Sequence, residues 1–256
     1  MALHVQNGAA MIRASLFLGL AVSAILPACT TSSPSGDEFA GESSADGEGG
    51  KGDTSGVYTF FNLIPDTRAC SLNSPADCGT GFFASRANRS STTCTRGVTA
   101  SQCKVQTIDW TPTAMPASVA KNYEDRLRGG EPLLVRGELV PAANDAGVSL
   151  AVDEIWVGSS PEWAEGVFAL VHDNGVRCIT APCPSLTEKK LNSTLSAQLT
   201  GVDFEASGAP QEAIDIAQQA LFGDGVVVVG YRDYDSLGGK TRTANKFFTK
   251  APVPLH

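Results

Sequence analysis

Seven cysteines carry most of the reactive chemistry in this 256-residue chain: Cys29, Cys70, Cys78, Cys94, Cys103, Cys178 and Cys183. A cysteine can serve as nucleophile, metal ligand or disulfide partner, and its spacing and neighbours help choose among these. Apart from Cys29 they fall in close pairs, 70 with 78, 94 with 103 and 178 with 183, and none is a C-x-x-C. The only histidines are His4, His172 and His256, so a zinc set has almost no imidazole to draw on. Disulfides are the expectation for the six later cysteines if the chain is exported, which removes them as nucleophiles. Six cysteines allow fifteen pairings; neighbour pairing would close short loops worth ~2 kcal/mol each.

The remaining catalytic vocabulary is sparse. No G-x-S-x-G, H-E-x-x-H or Walker-type glycine loop occurs. His172 lies beside Asp173 and before the Asn174-Gly175 turn, and reads as a strand-end residue rather than a general base. Asp109 and Asp203 each precede an aromatic residue, and Asp153-Glu154 falls in an apolar run. Sugar hydrolysis would need two such carboxylates across one cleft; a repeated Asp beside an aromatic is more simply a turn or cap residue. Asp233 and Asp235, ahead of Gly238-Gly239, could hold calcium weakly, though a solvated turn accounts for them. No catalytic residue, metal site or cofactor is expected, and an enzyme is not expected.

The order of segments supplies an address. Arg13 precedes an uncharged apolar run, Ala14 to Leu26, too short for the ~20 residues that span a bilayer but suited to a signal peptide. It ends in Leu26-Pro27-Ala28-Cys29, which resembles the lipobox of bacterial lipoproteins. The resemblance implies cleavage before Cys29 and acylation of that cysteine, so residues 1–29 are expected to be removed or anchored. Met11 would make a more typical start than Met1. Thr30, in place of the Asp that retains many such lipoproteins at the inner membrane, points to the outer membrane. Residues 30–56 hold Ser, Gly and six acids with almost no apolar side chain; they cannot offset ordering entropy by burial, and form an expected disordered tether of roughly 25–30 Å r.m.s.. A net charge of -8 argues against a nucleic-acid partner.

The rest, 42% apolar overall, reads as a doubled unit. TIDWTPTAMPASVAKNYEDRLRGG from Thr107 aligns without a gap on GVDFEASGAPQEAIDIAQQALFGD from Gly201. Asp109 meets Asp203, Trp110 meets Phe204, Pro116 meets Pro210 and Leu127 meets Leu221. Strands are predicted at Val57–Asn62, Gly81–Asn88, Leu133–Val140 and Val148–Val157, then at Val167–His172, Ser185–Asn192, Val226–Tyr231 and Thr241–Phe248, with a third strand in each unit carrying the Ile-Asp-Trp or Val-Asp-Phe triplet. One helix per unit follows: Val119, Tyr123 and Leu127 share a face, as do Ile214, Ala217 and Leu221, with Gly129-Gly130 and Gly223 as stops. The fold class is therefore mainly β with one helix per unit (α+β), as two β-β-β-α-β-β units at 57–158 and 166–250. That order resembles the oligonucleotide/oligosaccharide-binding barrel and its netrin-like relatives.

One stretch remains. In RCITAPCPS, Cys178 and Cys183 bracket Ile179, Thr180, Ala181 and Pro182. With the upstream Arg68, Cys70, Cys78, Gly79, Gly81, Phe82, Cys94 and Cys103, it resembles an uncharacterised domain family of exported bacterial lipoproteins, which implies no activity. Ile179–Pro182 is the candidate binding loop. The expected function is a membrane-anchored binding or envelope-scaffold module for a protein or glycan. The alternatives are a protease inhibitor presenting this loop, in which preorganisation lowers the docking cost, and a carboxylate-dependent hydrolase.

Overall fold

Alternation of buried and half-buried positions marks the first strand, β1 (Thr59–Pro65), where Phe61 and Leu63 point inward. The computed structural model describes residues 59–68, 80–142 and 147–252. The signal and tether assignments, Cys29, and the Cys70 and Cys78 pair lie outside the described residues. After β1 come β2 (Phe82–Arg86), β3 (Thr92–Thr93), β4 (Thr99–Ala100), β5 (Cys103–Val105) and β6 (Thr107–Asp109), then helix α1 (Ala117–Arg128) and strands β7 (Leu133–Pro141) and β8 (Val148–Gly158). The chain continues with β9 (Val167–Asp173), β10 (Leu186–Lys190), β11 (Ser196–Leu199), β12 (Gly201–Asp203), α2 (Gln211–Ala220), β13 (Val226–Tyr234) and β14 (Lys240–Lys250). The protein is mainly β, with two helices among the described residues, as the side-chain periodicities predict.

Twelve strands form one sheet whose path runs β11-β10-β9-β13-β14-β8-β7-β1-β2-β5; β3 and β4 make a separate small hairpin. The path has two ends, β11 and β5, and is continuous across β14 and β8, so the strands form one large open sheet rather than the two closed barrels expected. The edge strands are short, which limits the ladder. At Gln106 and Thr200 the chain turns from each edge strand into β6 or β12, which lies parallel on β8 or β14 over three residue pairs. All described residues fall in one compact unit.

Three apolar clusters fill the molecule. In the first, Tyr123 and Leu127 of α1 pack on Phe61, Leu63, Leu133 and Val135; in the second, Ile214 and Ala217 of α2, with Leu221, pack on Val171, Val226 and Val228. The run Val226–Val229 is buried on both sides because Val227 and Val229 face a third cluster, with Leu134, Trp156, Phe168 and Phe248. This explains a continuous apolar strand instead of an alternating one. The expected stop Gly129-Gly130 follows α1, with Gly130 left-handed (φ 92°); after α2 the left-handed glycine is Gly225 (φ 83°), two residues beyond the expected Gly223, and its amide donates to Ala220 O at 2.8 Å.

Two asparagines join the segments before and after residue 160. Asn88 and Asn192 both adopt the left-handed conformation, which asparagine tolerates better than most residues. Asn192 Nδ2 donates to Phe60 O and Ala87 O, each at 2.9 Å, and its Oδ1 accepts from Phe60 N at 2.9 Å and from the Thr59 hydroxyl. Asn88 does the converse: Nδ2 donates to Phe168 O (2.7 Å) and Leu191 O (3.1 Å), and Oδ1 accepts from Phe168 N (2.8 Å).

A buried ionic triad distinguishes the later segment. Glu188, fully buried, accepts from Arg232 Nε and from Arg242 Nη1 (2.9 Å), while Arg242 Nη2 donates to Val167 O and Gly230 O. At the matching register positions of the earlier segment stand Ala84, Leu139 and Leu150, all apolar. Removing one member of a buried ionic set strands the others, at ~3–5 kcal/mol, whereas full apolar replacement is often neutral or better. Glu188→Ala should therefore cost ~3–5 kcal/mol. The triple change Glu188→Ala, Arg232→Leu, Arg242→Leu, which copies the apolar trio, should recover most of it. Urea unfolding checks both; a triple variant weaker than Glu188→Ala alone would contradict the interpretation.

Candidate functional site

The loop between β9 and β10 is built from its base outward. Asp173 ends β9, and its amide donates to Leu221 O at 2.8 Å. Its carboxylate accepts from Gly175 N (2.7 Å) and from both terminal nitrogens of Arg177, at 3.3 and 2.9 Å. The Arg177 hydrogen bonds, with the Gly175 amide second, hold the Asp173 carboxyl below the usual carboxylate range. Asn174 takes the other side. Its Oδ1 accepts from Val176 N, and Nδ2 donates to Pro184 O (2.9 Å) and Gln198 Oε1 (2.6 Å), tying the loop to β11. Both residues are typical turn formers because short polar side chains can bond nearby backbone. The Asn174-Gly175 signal is thus realised as a rigid loop base, with Gly175 at φ 79°.

Above this base the Cys178–Cys183 disulfide closes the tip. Arg177 to Ala181 are exposed, and Ile179 is 103% exposed relative to an extended reference. Pro182, after a cis peptide, is half-buried. It lies against the β13–β14 turn, since a Cβ added at Gly239 would come within 3.2 Å of its Cβ. That turn is shaped by Asp235, whose Oδ1 accepts from Leu237 N and Gly239 N, both at 2.8 Å. It also carries Leu237, 72% exposed. The loop so offers an apolar tip braced from behind by a second turn, a relation between residues 179–182 and 235–239 that spacing alone does not disclose.

The second disulfide joins Cys94 to Cys103 and pins the β3–β4 hairpin to the start of β5, with Cys103 buried. Two of the three neighbour pairs thus form among the described residues. Asp109 and Asp203 do occupy matching places, and both are turn caps. Asp109 Oδ1 accepts from Thr111 N (2.9 Å), and Asp203 Oδ1 from Ala206 N (3.2 Å). Bonding to Thr111 holds the Asp109 carboxyl below its ordinary value. A carboxyl so lowered does not suit Asp109 to general-acid work. Asp233 accepts from the Thr243 hydroxyl at 2.6 Å and Asp235 from its turn, and no group of three or more metal-ligating side chains gathers among the described residues. His172 stays in β9 opposite Thr187. No helix among the described residues is long and apolar enough to cross a membrane.

Two further polar positions stand out, Asp153 of the candidate Asp153-Glu154 pair and Lys246, which sequence reasoning missed. Asp153 sits at the bulge where β7 and β8 shift register, and burial raises its carboxyl despite Arg136 at 3.4 Å. Lys246 is lowered to about 8 by burial, and its Nζ donates to Ser160 O (2.7 Å) and Glu162 O. An amine in that range could act as a base, but this one is buried and occupied by two carbonyls. In sequence Lys246 looks like an ordinary solvent-facing strand charge.

No curated protein and no solved structure matches the chain. A family does: residues 59–251 match the domain of unknown function DUF6748, and the chain belongs to that family.

Proposed function

We propose that the chain is an exported, lipid-anchored, non-enzymatic binding module that presents the Cys178–Cys183 loop to a protein or glycan at the outer membrane. One observation carries this reading: Ile179 projects wholly into solvent from a loop fixed at both ends and at its back. A large aliphatic side chain gains nothing in that position from the fold, and burying it in a partner's pocket would supply a central anchor. The loop is already ordered, so docking costs less conformational entropy than closing a flexible segment. The lipobox-like Cys29 and the acidic stretch 30–56 supply anchor and tether in this account.

We further infer that 57–158 and 166–250 are two copies of one β-β-β-α-β-β module in the netrin-like order. The pairings β5-β2-β1-β7-β8 and β11-β10-β9-β13-β14, each with a short parallel strand on its last member, support the inference. So do the paired turn caps at Asp109 and Asp203. A protease inhibitor is the second reading, favoured by the brace behind Pro182, which would resist displacement of the loop in a cleft.

Three outcomes are expected. Cys29→Ser should move the protein from the membrane to the soluble fraction; a variant that stays membrane-bound, by fractionation, removes the anchor. A photo-crosslinking residue at 179 in intact envelopes should give a discrete adduct that the same residue at 216, an exposed site on α2, does not. Loss of that difference removes the loop as the recognition element. On a panel of proteases the mature chain should inhibit at least one if the second reading holds, with Ile179→Asp abolishing the effect; no inhibition anywhere eliminates that reading alone.

A further inference from the structure

A cleft of about 470 Å³ opens where the two segments meet, away from the disulfide loop. Its wall from the earlier segment carries Arg136 and Glu154, and its wall from the later one carries Lys189, Lys190, Asp224 and Lys250. Four bases face two acids in a chain whose net charge is -8. Counting Asp153, which reaches Arg136 from outside the lining, bases still outnumber acids. The local sign is therefore opposite to that of the molecule as a whole, and a cleft with low-dielectric walls concentrates such a field.

Two of the bases, Arg136 and Lys250, are held in place. Glu154 accepts from Arg136 Nη1 (2.8 Å), Lys250 Nζ (3.1 Å) and Trp156 Nε1 (3.2 Å). Lys250 also meets Asp224 at 3.2 Å, which leaves one of its three ammonium protons beyond these two acids. Despite the burial that opposes its charge, its bonds to Glu154 and Asp224 keep its pKa above the ordinary lysine value. Asp224 is 63% exposed and sits at the rim, where an incoming anion would compete with it for Lys250. The half-buried Phe60 and Leu170 give the cleft an apolar shoulder.

We infer that this cleft binds a small organic anion, a carboxylate or phosphate monoester with an apolar body, whose charged oxygens take the place of Asp224 at Lys250 and meet Lys189. The volume fits a small-molecule site. The ligand would touch both segments at once, and so would add to the cohesion of the seam in proportion to its occupancy.

Calorimetric titration of the whole mature chain with 4-phenylbutyrate and with phenyl phosphate, against 4-phenylbutanamide as the neutral control, tests the inference. The anions should bind saturably at low salt and more weakly at high salt, and the amide should not bind. Preference between the two anions identifies the head group. Lys189→Glu should weaken binding about tenfold or more, and Asp224→Asn should tighten it a few-fold. Both residues lie at the surface, so circular dichroism should report both variants folded. The inference is overturned by no saturable binding of either anion, by equal binding of the amide, or by variants that bind as the parent does.

Discussion

The reciprocal exchange of Asn88 and Asn192 is the interaction on which the rest of the architecture depends. Each asparagine leaves its own strand end in a left-handed turn and spends its amide on backbone groups of the opposite segment, three bonds in one direction and at least three in the other. Those backbone groups lie at the starts of β1 and β9 and just past the ends of β2 and β10, where Ala87 N still donates to Phe60 O and Leu191 N to Phe168 O, each at 3.0 Å. Without the amides, Phe60 N and Ala87 O on one side, and Phe168 N and Leu191 O on the other, would lose these partners, at ~1–3 kcal/mol for each buried group left unpaired. The exchange also brings Phe60 toward Trp156 and sets Phe168 beside Phe248, which closes the third apolar cluster. The β14–β8 pairing makes the sheet continuous; the asparagines tie the end of β10 to the start of β1 and the end of β2 to the start of β9. Asn192 also lines the cleft that holds Arg136 and Lys250.

The two segments share a strand order but differ where specialisation would be expected. One holds an apolar trio at Ala84, Leu139 and Leu150; the other holds Glu188, Arg232 and Arg242 in the same register. A buried triad of this sort gives little net stability, so its retention makes sense as a device for one fixed arrangement: Arg242 ties β14 to carbonyls of β9 and β13 simultaneously. The disulfides are placed differently as well. Cys94–Cys103 braces a hairpin between β2 and β5, while Cys178–Cys183 shapes a loop between β9 and β10. The two segments thus differ in the polarity of this trio and in where their disulfides lie.

Much of the scaffold was legible in the residues. Val226–Val229, Phe247-Phe248 and Leu133–Val135 could only be strands, and the helical faces of Tyr123 with Leu127 and Ile214 with Ala217 are the ones buried. The Asp-aromatic pairs at 109 and 203 mark matching turns because a short carboxylate next to a turn bonds the backbone two or three residues on. What stayed hidden shares one physical cause: it depends on contacts between residues distant in sequence. Glu188, Arg232, Arg242 and Lys246 are charged residues set mostly among polar neighbours and so resemble solvent-facing strand positions, yet they are buried. Asn88 and Asn192 end predicted strands at equivalent places, and that coincidence was the only signal of the exchange. The brace of residues 235–239 behind Pro182 had no local signature at all, and the closure of two barrels was over-read from element order, which does not specify how far an edge strand pairs.

A double-mutant cycle on Asn88→Ala and Asn192→Ala, followed by urea unfolding, addresses the asparagine exchange directly. Each single change should cost ~2–4 kcal/mol, the cost of two backbone groups that lose their partner. Because both amides hold the same junction, the double variant should cost less than the sum by at least ~1 kcal/mol. Two small and strictly additive losses would show that the segments are held together without the exchange, and would contradict the account.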